Sequence, residues 1–295
     1  MENYRRYTST AEHNKALNML QGIVEGLNVD GSVSSAEMTE LTHWCSLHEN
    51  LRKFAPFNEL LPMIEAALSD GVLSEEEKAD ILWVCGKNYL GKDYYDDITG
   101  TLQVLSGIAH GMLADQELND AEIHALSEWV NHNDFLKGYY PFDEIDAMLC
   151  SVLSDKIIST EERESLMALL SSLVEFKDSY NLIETDFEAL RLKYSVGGIC
   201  AVAPHIEFEN RAFCVTGDSY KASRKEIKDL IAAKGGLIRD KVTKATDYLI
   251  ICDGGNPCWA YACYGRKVES AMQIRRAGGK VQLIAEVDLW DALEE

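Results

Sequence analysis

What the chain lacks narrows the field first. No apolar run approaches the roughly 20 residues needed to cross a bilayer. The opening MENYRRYTSTAEHNK has no apolar core of the kind a secretion signal carries. A cytoplasmic protein without membrane contact is the expectation. Proline is scarce, with five in 295 residues, and the remaining composition is that of folded chains, so disorder is not expected. Cysteine is present but paired spacing is missing. Cys45, Cys85, Cys150, Cys200, Cys214, Cys252, Cys258 and Cys263 lie mostly in apolar runs, without a disulfide framework. They read as reduced packing residues, and the triplet Cys252, Cys258 and Cys263 matches no common zinc spacing. A Walker A loop, His-Glu-x-x-His, Gly-x-Ser-x-Gly and the kinase signatures are also missing, so no catalytic centre and no organic cofactor is expected.

Basic residues are scarce in one part only. Residues 206–295 hold 14 Lys+Arg and 14 Asp+Glu, so the first 205 residues hold 14 of the 28 basic side chains and 35 of the 49 acidic ones. The whole net charge of -21 sits in the N-terminal part. Such a surface repels phosphate backbones and suits a basic protein partner, although salt screens it beyond about 8 Å. Any contact with nucleic acid falls to the C-terminal part.

The N-terminal part contains a duplication. A shift of 85 positions lays residues 20–44 on residues 105–129, carries Pro56-Phe57 onto Pro141-Phe142, and carries Leu68-Ser69-Asp70 onto Leu153-Ser154-Asp155, all without a gap. Neither copy, about 12–90 and about 97–175, is long enough to bury its apolar face well alone. Leu17, Leu20, Ile23, Val24 and Leu27 follow helical spacing, as do Met38, Leu41, Trp44 and Cys45, which predicts an amphipathic helix pair in each copy. Trp44 and its repeat equivalent Trp129 fall on the apolar face and are expected in the core. His43 and His48 are five apart, outside the spacing of a helical zinc pair, and are expected at the surface or as caps.

A shorter pattern recurs four times, as Asp30/Ser34/Glu37, Asp70/Ser74/Glu77, Asp115/Asn119/Glu122 and Asp155/Ser159/Glu162. Ser or Asn followed three residues later by Glu is a capping box, so four loops should each open a helix, with the Asp bracing the loop. The pattern, over about residues 12–175, resembles the tellurite-resistance TerB-like helical family. That resemblance implies a divalent cation such as calcium, for which Asp30, Glu37, Asp70 and Glu77 are the candidate ligands. The second copy has Gln116 and Lys156 where the first has glycines, and the loops lack the ligand ladder of an EF-hand.

Residues 195–205, SVGGICAVAPH, break the helical pattern with two glycines and a proline and read as a linker between residues 1–194 and residues 206–295. Beyond it, short β-branched or aromatic runs (AFCVT, DYLIIC, VQLI) alternate with helical ones (SRKEIKDLIAAKGG, GRKVESAMQIRRAGG, EVDLWDAL). Three strands alternating with three helices predict a small parallel sheet. The fold class is therefore a multidomain α plus α/β chain, an all-helical domain followed by a small α/β domain.

The residues Phe213-Cys-Val-Thr216-Gly217, Ser223-Arg224, Ala233-Lys-Gly235-Gly236, Thr246-Asp247-Tyr248-Leu249-Ile250 and Leu289-Trp290 carry a specific likeness. Together they resemble the BRCT family, in the variant found in NAD-dependent DNA ligases and the replication factor C large subunit. A strand ending in Thr216-Gly217 offers a hydroxyl and an unobstructed amide, and Lys267 at the next helix start adds charge to a dipole end. The resemblance implies that Thr216, Gly217 and Lys267 hold a phosphate, and that Arg224 belongs with 5′-phosphorylated DNA ends. Trp259 and Tyr264 are candidates for stacking on a base, with packing as the alternative. The expected partners are a DNA end or a phosphorylated protein, a basic protein at the acidic helical domain, and a second copy of the chain. The expected role is a non-catalytic adaptor in DNA repair, replication or mobile-element biology, with a protein-interaction scaffold or a cation-responsive TerB-like stress protein as alternatives.

Overall fold

The computed structural model describes residues 5–27, 33–86, 95–155, 157–194, 200–201, 204–252 and 265–294. The chain divides near residue 196 into a helical unit and an α/β unit. Much of the expected linker lies outside the described residues.

The first unit runs α1 (Arg5–Gly26), α2 (Ser35–Leu47), α3 (Phe57–Ala67), α4 (Glu75–Cys85), α5 (Asp97–Leu113), α6 (Asp120–His132), α7 (Phe142–Val152), α8 (Thr160–Ser171) and α9 (Glu184–Lys193). Among the described residues each copy thus contributes four helices: the expected pair, the helix that the second capping box opens (α4 and α8), and α3 or α7, which no sequence motif announces. The helices without such a signal, α3 and α7, are 11 residues long and follow a proline, where a short apolar stripe is easily passed over. The 85-residue shift survives in three dimensions, since α2 maps onto α6 and α3 onto α7 end for end. All four capping boxes form: Ser34, Ser74, Asn119 and Ser159 each accept from the N3 amide while the following Glu accepts from the cap amide.

The two copies meet along α1 and α5. Asn18 donates to its own repeat equivalent, Gln103, at 2.7 Å. A Cβ on Gly22 would lie 2.7 Å from Gly107 Cα, one on Gly107 would lie 2.9 Å from Gly22 Cα, and one on Gly111 would lie 3.1 Å from Gly26 Cα. Equivalent residues therefore touch one another along the seam, so the helices run parallel about a local two-fold axis. Only glycine permits that backbone approach. Leu20, Leu41, Trp44, Phe57, Leu60, Ile64 and Ile81 fill the core beside it.

One core expectation needs correction. Trp44 is buried, but Trp129 is only half-buried and lines an open groove with Asn14, Asn18 and Phe135. A shared helix position does not fix burial when the elements around it differ. His48 closes α2, with its Nδ1 2.9 Å from the Trp44 carbonyl, and His43 is half-buried at the edge, its ring 5.7 Å from the exposed Tyr180 and its Nε2 covered.

The second unit contains β1 (Ala212–Thr216), α10 (Arg224–Ala233), β2 (Leu237–Arg239), β3 (Tyr248–Ile251), α11 (Arg266–Arg276), β4 (Gln282–Ala285) and α12 (Glu286–Glu294). The sheet is parallel throughout, in the order β2-β1-β3-β4. The sequence reading misses β2, an edge strand of three residues with an exposed first and last residue and no apolar alternation to betray it. Phe213, Val215, Tyr248 and Ile250 form one core with Ile227 and Ile231 of α10 and Leu289 of α12, so alternation turns Cys214 and Thr216 to the other face. The Gly235-Gly236 pair is sterically required. Gly235 has φ +87°, and a Cβ on Gly236 would sit 2.5 Å from Ile231 Cγ2. Asp247 ties the strand starts together, accepting from the Ala212 amide at 2.7 Å.

Candidate anion-binding crevice

The C-terminal end of β1 carries two of the expected site cations, Arg224 and Lys267. β1 is the inner strand between β2 and β3, buried along its whole length, so its exit is fixed by neighbours on both sides. Thr216 ends it at 5% exposure, and Gly217 turns the chain with φ +85°, a conformation that disfavours any residue with a Cβ.

Two cations flank this point. Arg224 is the first residue of α10, behind the Ser223 cap, and its Nη2 donates to the Gly217 carbonyl at 2.8 Å and to Asp218 Oδ1 at 3.2 Å. Lys267 is the second residue of α11, and its Nζ donates to the Val215 carbonyl at 2.8 Å. The carbonyls they hold lie immediately before and after Thr216. Thr216, Gly217, Arg224 and Lys267 are therefore brought together. The positive ends of the α10 and α11 dipoles carry these two cations, which adds to the local potential.

The electrostatics extend one turn further. Lys228, on the same face of α10 as Arg224, pairs with Asp240 at 2.8 Å and holds that carboxyl below its usual range. Burial pushes the Cys214 thiol up, while Lys267 and Lys228 pull it back, which places both ammonium groups around the same strand face. In the sequence Lys228 shows only as a basic residue four positions after Arg224, with no motif to mark it. Tyr220 is 81% exposed in the β1–α10 loop, where a lone tyrosine carries no sequence pattern. Trp259 and Tyr264 lie outside the described residues.

The acidic loops of the helical unit are otherwise engaged. Glu37 and Glu77 serve their capping boxes, and Asp70 accepts from the Val72 amide at 3.0 Å, as Asp115 does from Glu117 and Asp155 from Ile157. These bonds are the loop-bracing role the sequence suggested. Asp30 lies outside the described residues, and among those described no group of three or more His, Cys, Asp or Glu side chains is placed to hold a metal ion.

Residues 204–264 match the family described as the BRCA1 C Terminus (BRCT) domain. Over this segment the chain is similar to a BRCT domain. A DNA ligase of Fervidobacterium nodosum is 37% identical over 83 residues, which cover 28% of this chain and 10% of the ligase. The chain thus spans about a tenth of the curated relative that it matches. No solved structure matches. The four-residue crevice straddles the matched segment, with Thr216, Gly217 and Arg224 inside it and Lys267 just beyond. Among the described residues no helix is long and apolar enough to cross a membrane.

Proposed function

We propose that the BRCT domain grips a terminal phosphate, that of a 5′-phosphorylated DNA end, and that the protein is a non-catalytic adaptor in DNA repair, replication or mobile-element biology. The observation that carries this reading is the pair of cations on the carbonyls either side of Thr216. A phosphate entering there exchanges two neutral carbonyl acceptors for charged oxygens, and charge-assisted hydrogen bonds are roughly twice as strong as neutral ones. The likeness to a DNA ligase over the same segment supports a DNA end over other phosphates. The acidic helical unit, with its excess of carboxylates, then serves a basic protein partner rather than the DNA.

The test compares 5′-phosphorylated and unphosphorylated duplexes by fluorescence anisotropy. The phosphorylated end should bind more tightly, and Lys267→Ala should lower its affinity about thirtyfold, or ~2 kcal/mol. Equal binding of the two duplexes would remove this reading. Preference for a phosphopeptide over the phosphorylated duplex would move it to a protein-interaction scaffold.

A further inference from the structure

The loop from Gly217 to Ser223 is held at its middle by a residue 67 positions away. Glu286, the first residue of α12, is only 1% exposed, and its carboxylate accepts hydrogen bonds from the Ser219 hydroxyl and from Trp290 Nε1, the latter at 2.8 Å. Ser219 has one O–H, and that hydrogen is committed to Glu286. Its oxygen accepts in turn from the amides of Lys221 at 3.0 Å and Ala222 at 3.2 Å. A single hydroxyl thus joins a buried carboxylate to the loop's backbone, with its donor and acceptor capacity in use.

This link sits against the crevice. Arg224 lies back over Gly217 and Asp218, the two residues immediately before Ser219, and the Ala222 amide is two positions before Arg224 in sequence. A loop free to swing at Ser219 would carry with it both the carbonyl that Arg224 holds and the start of α10. The Lys221 ammonium, 5.6 Å from the centre of the Trp290 ring, adds a second tie between the same loop and α12.

We propose that Glu286 is a positioning residue for the crevice, acting through Ser219 to set the 217–224 segment and so the point at which Arg224 meets an anion. The inference rests on the anion-binding reading above. It gives α12, which contributes none of the four candidate ligand-binding residues, a part in affinity.

The experiment uses the full chain and 5′-phosphorylated duplex. Ser219→Ala and Glu286→Met, the latter of similar length but without an oxygen acceptor, should each lower affinity about fivefold to tenfold, in line with one lost charge-assisted bond. The double variant should be no weaker than the worse single one, because both sever one link. Ser219→Thr should restore binding. In the absence of ligand, Ser219→Ala should speed hydrogen exchange at the amides of residues 221 and 222 while leaving the melting temperature within a few degrees. If wild type prefers the phosphorylated end and both variants bind as wild type does, the positioning role falls while the anion reading stands. If wild type shows no such preference, the anion reading falls and takes the inference with it. Additive losses, or unchanged exchange at 221 and 222, would also overturn the link, and because Ser219→Ala removes a single oxygen from a partly buried loop residue, its unchanged melting temperature separates that result from a failure to fold.

Discussion

At the scale of single residues, the helical unit depends on two glycine pairs that carry no chemistry. A Cβ on Gly107 would lie 2.2 Å from the Met19 carbonyl and one on Gly22 2.0 Å from the Val104 carbonyl, so both are walled by backbone, which cannot yield as a side chain can. Gly107→Ala should therefore cost at least 1–3 kcal/mol, the usual range for forced overpacking, and lower the melting temperature. Gly100, in the same helix, has only the flexible Asn18 Nδ2 at 3.4 Å, so Gly100→Ala should be neutral or stabilising by up to about 1 kcal/mol through helix propensity. Calorimetry on the two variants separates propensity from packing. The glycines recur at the 85-residue shift and were legible as such, but a repeat shows only that a position matters twice, not what it touches. Thr216, Gly217, Arg224 and Lys267 were named from a family likeness. Their mutual arrangement needed the fold, because Lys267 follows a segment of uncertain length in any alignment.

At the scale of elements, the caps were the most legible feature, because a capping box is a local motif whose geometry depends on four consecutive residues. Ser159→Ala should destabilise the helical unit by about 1 kcal/mol in denaturant titration. The segment after the second copy was not legible at all. Glu40 accepts from the amides of Tyr180 and Asn181 and pairs with His110 at 2.6 Å, where burial alone would raise its carboxyl, but these donors hold it below its ordinary value. The repeat equivalents of this pair are Ala125 and Glu25, so the contact breaks the internal symmetry and selects one copy as the dock. Nearby, burial and a hydrogen bond with Asp178 push the Glu175 carboxyl up to about 7. A raised acid favours its neutral form in the folded state, so this contribution to stability is complete below the unfolded value near 4.5 and is lost as pH rises through 7. Glu175→Gln stays neutral. Its melting temperature should match wild type near pH 4.5 and exceed it increasingly up to pH 8.

At the scale of the whole molecule, charge is partitioned between the units. The acid excess belongs to the first 205 residues, while the α/β unit is balanced and sets Arg224 and Lys267 at one strand end. A grip on one terminal phosphate should then show a shallow dependence on salt, with a log-log slope near -1 to -2, since each neutralised phosphate of B-DNA contributes about -0.9. A slope of -5 or steeper would mean a long duplex track instead. The division into a helical and an α/β part was visible from composition and texture, because helical and strand periodicities differ in kind. The edge strand Leu237–Arg239 was not, since its identity comes from pairing with β1 and not from its own three residues.

The seam between the two copies has an evolutionary consequence. Because each position meets its own counterpart there, the joint is self-complementary, and a gene encoding one copy would have made a symmetric homodimer through the same surface. Joining the copies in one chain makes the pairing permanent and lets the halves differ, as they do at the equivalent positions Glu40 and Ala125.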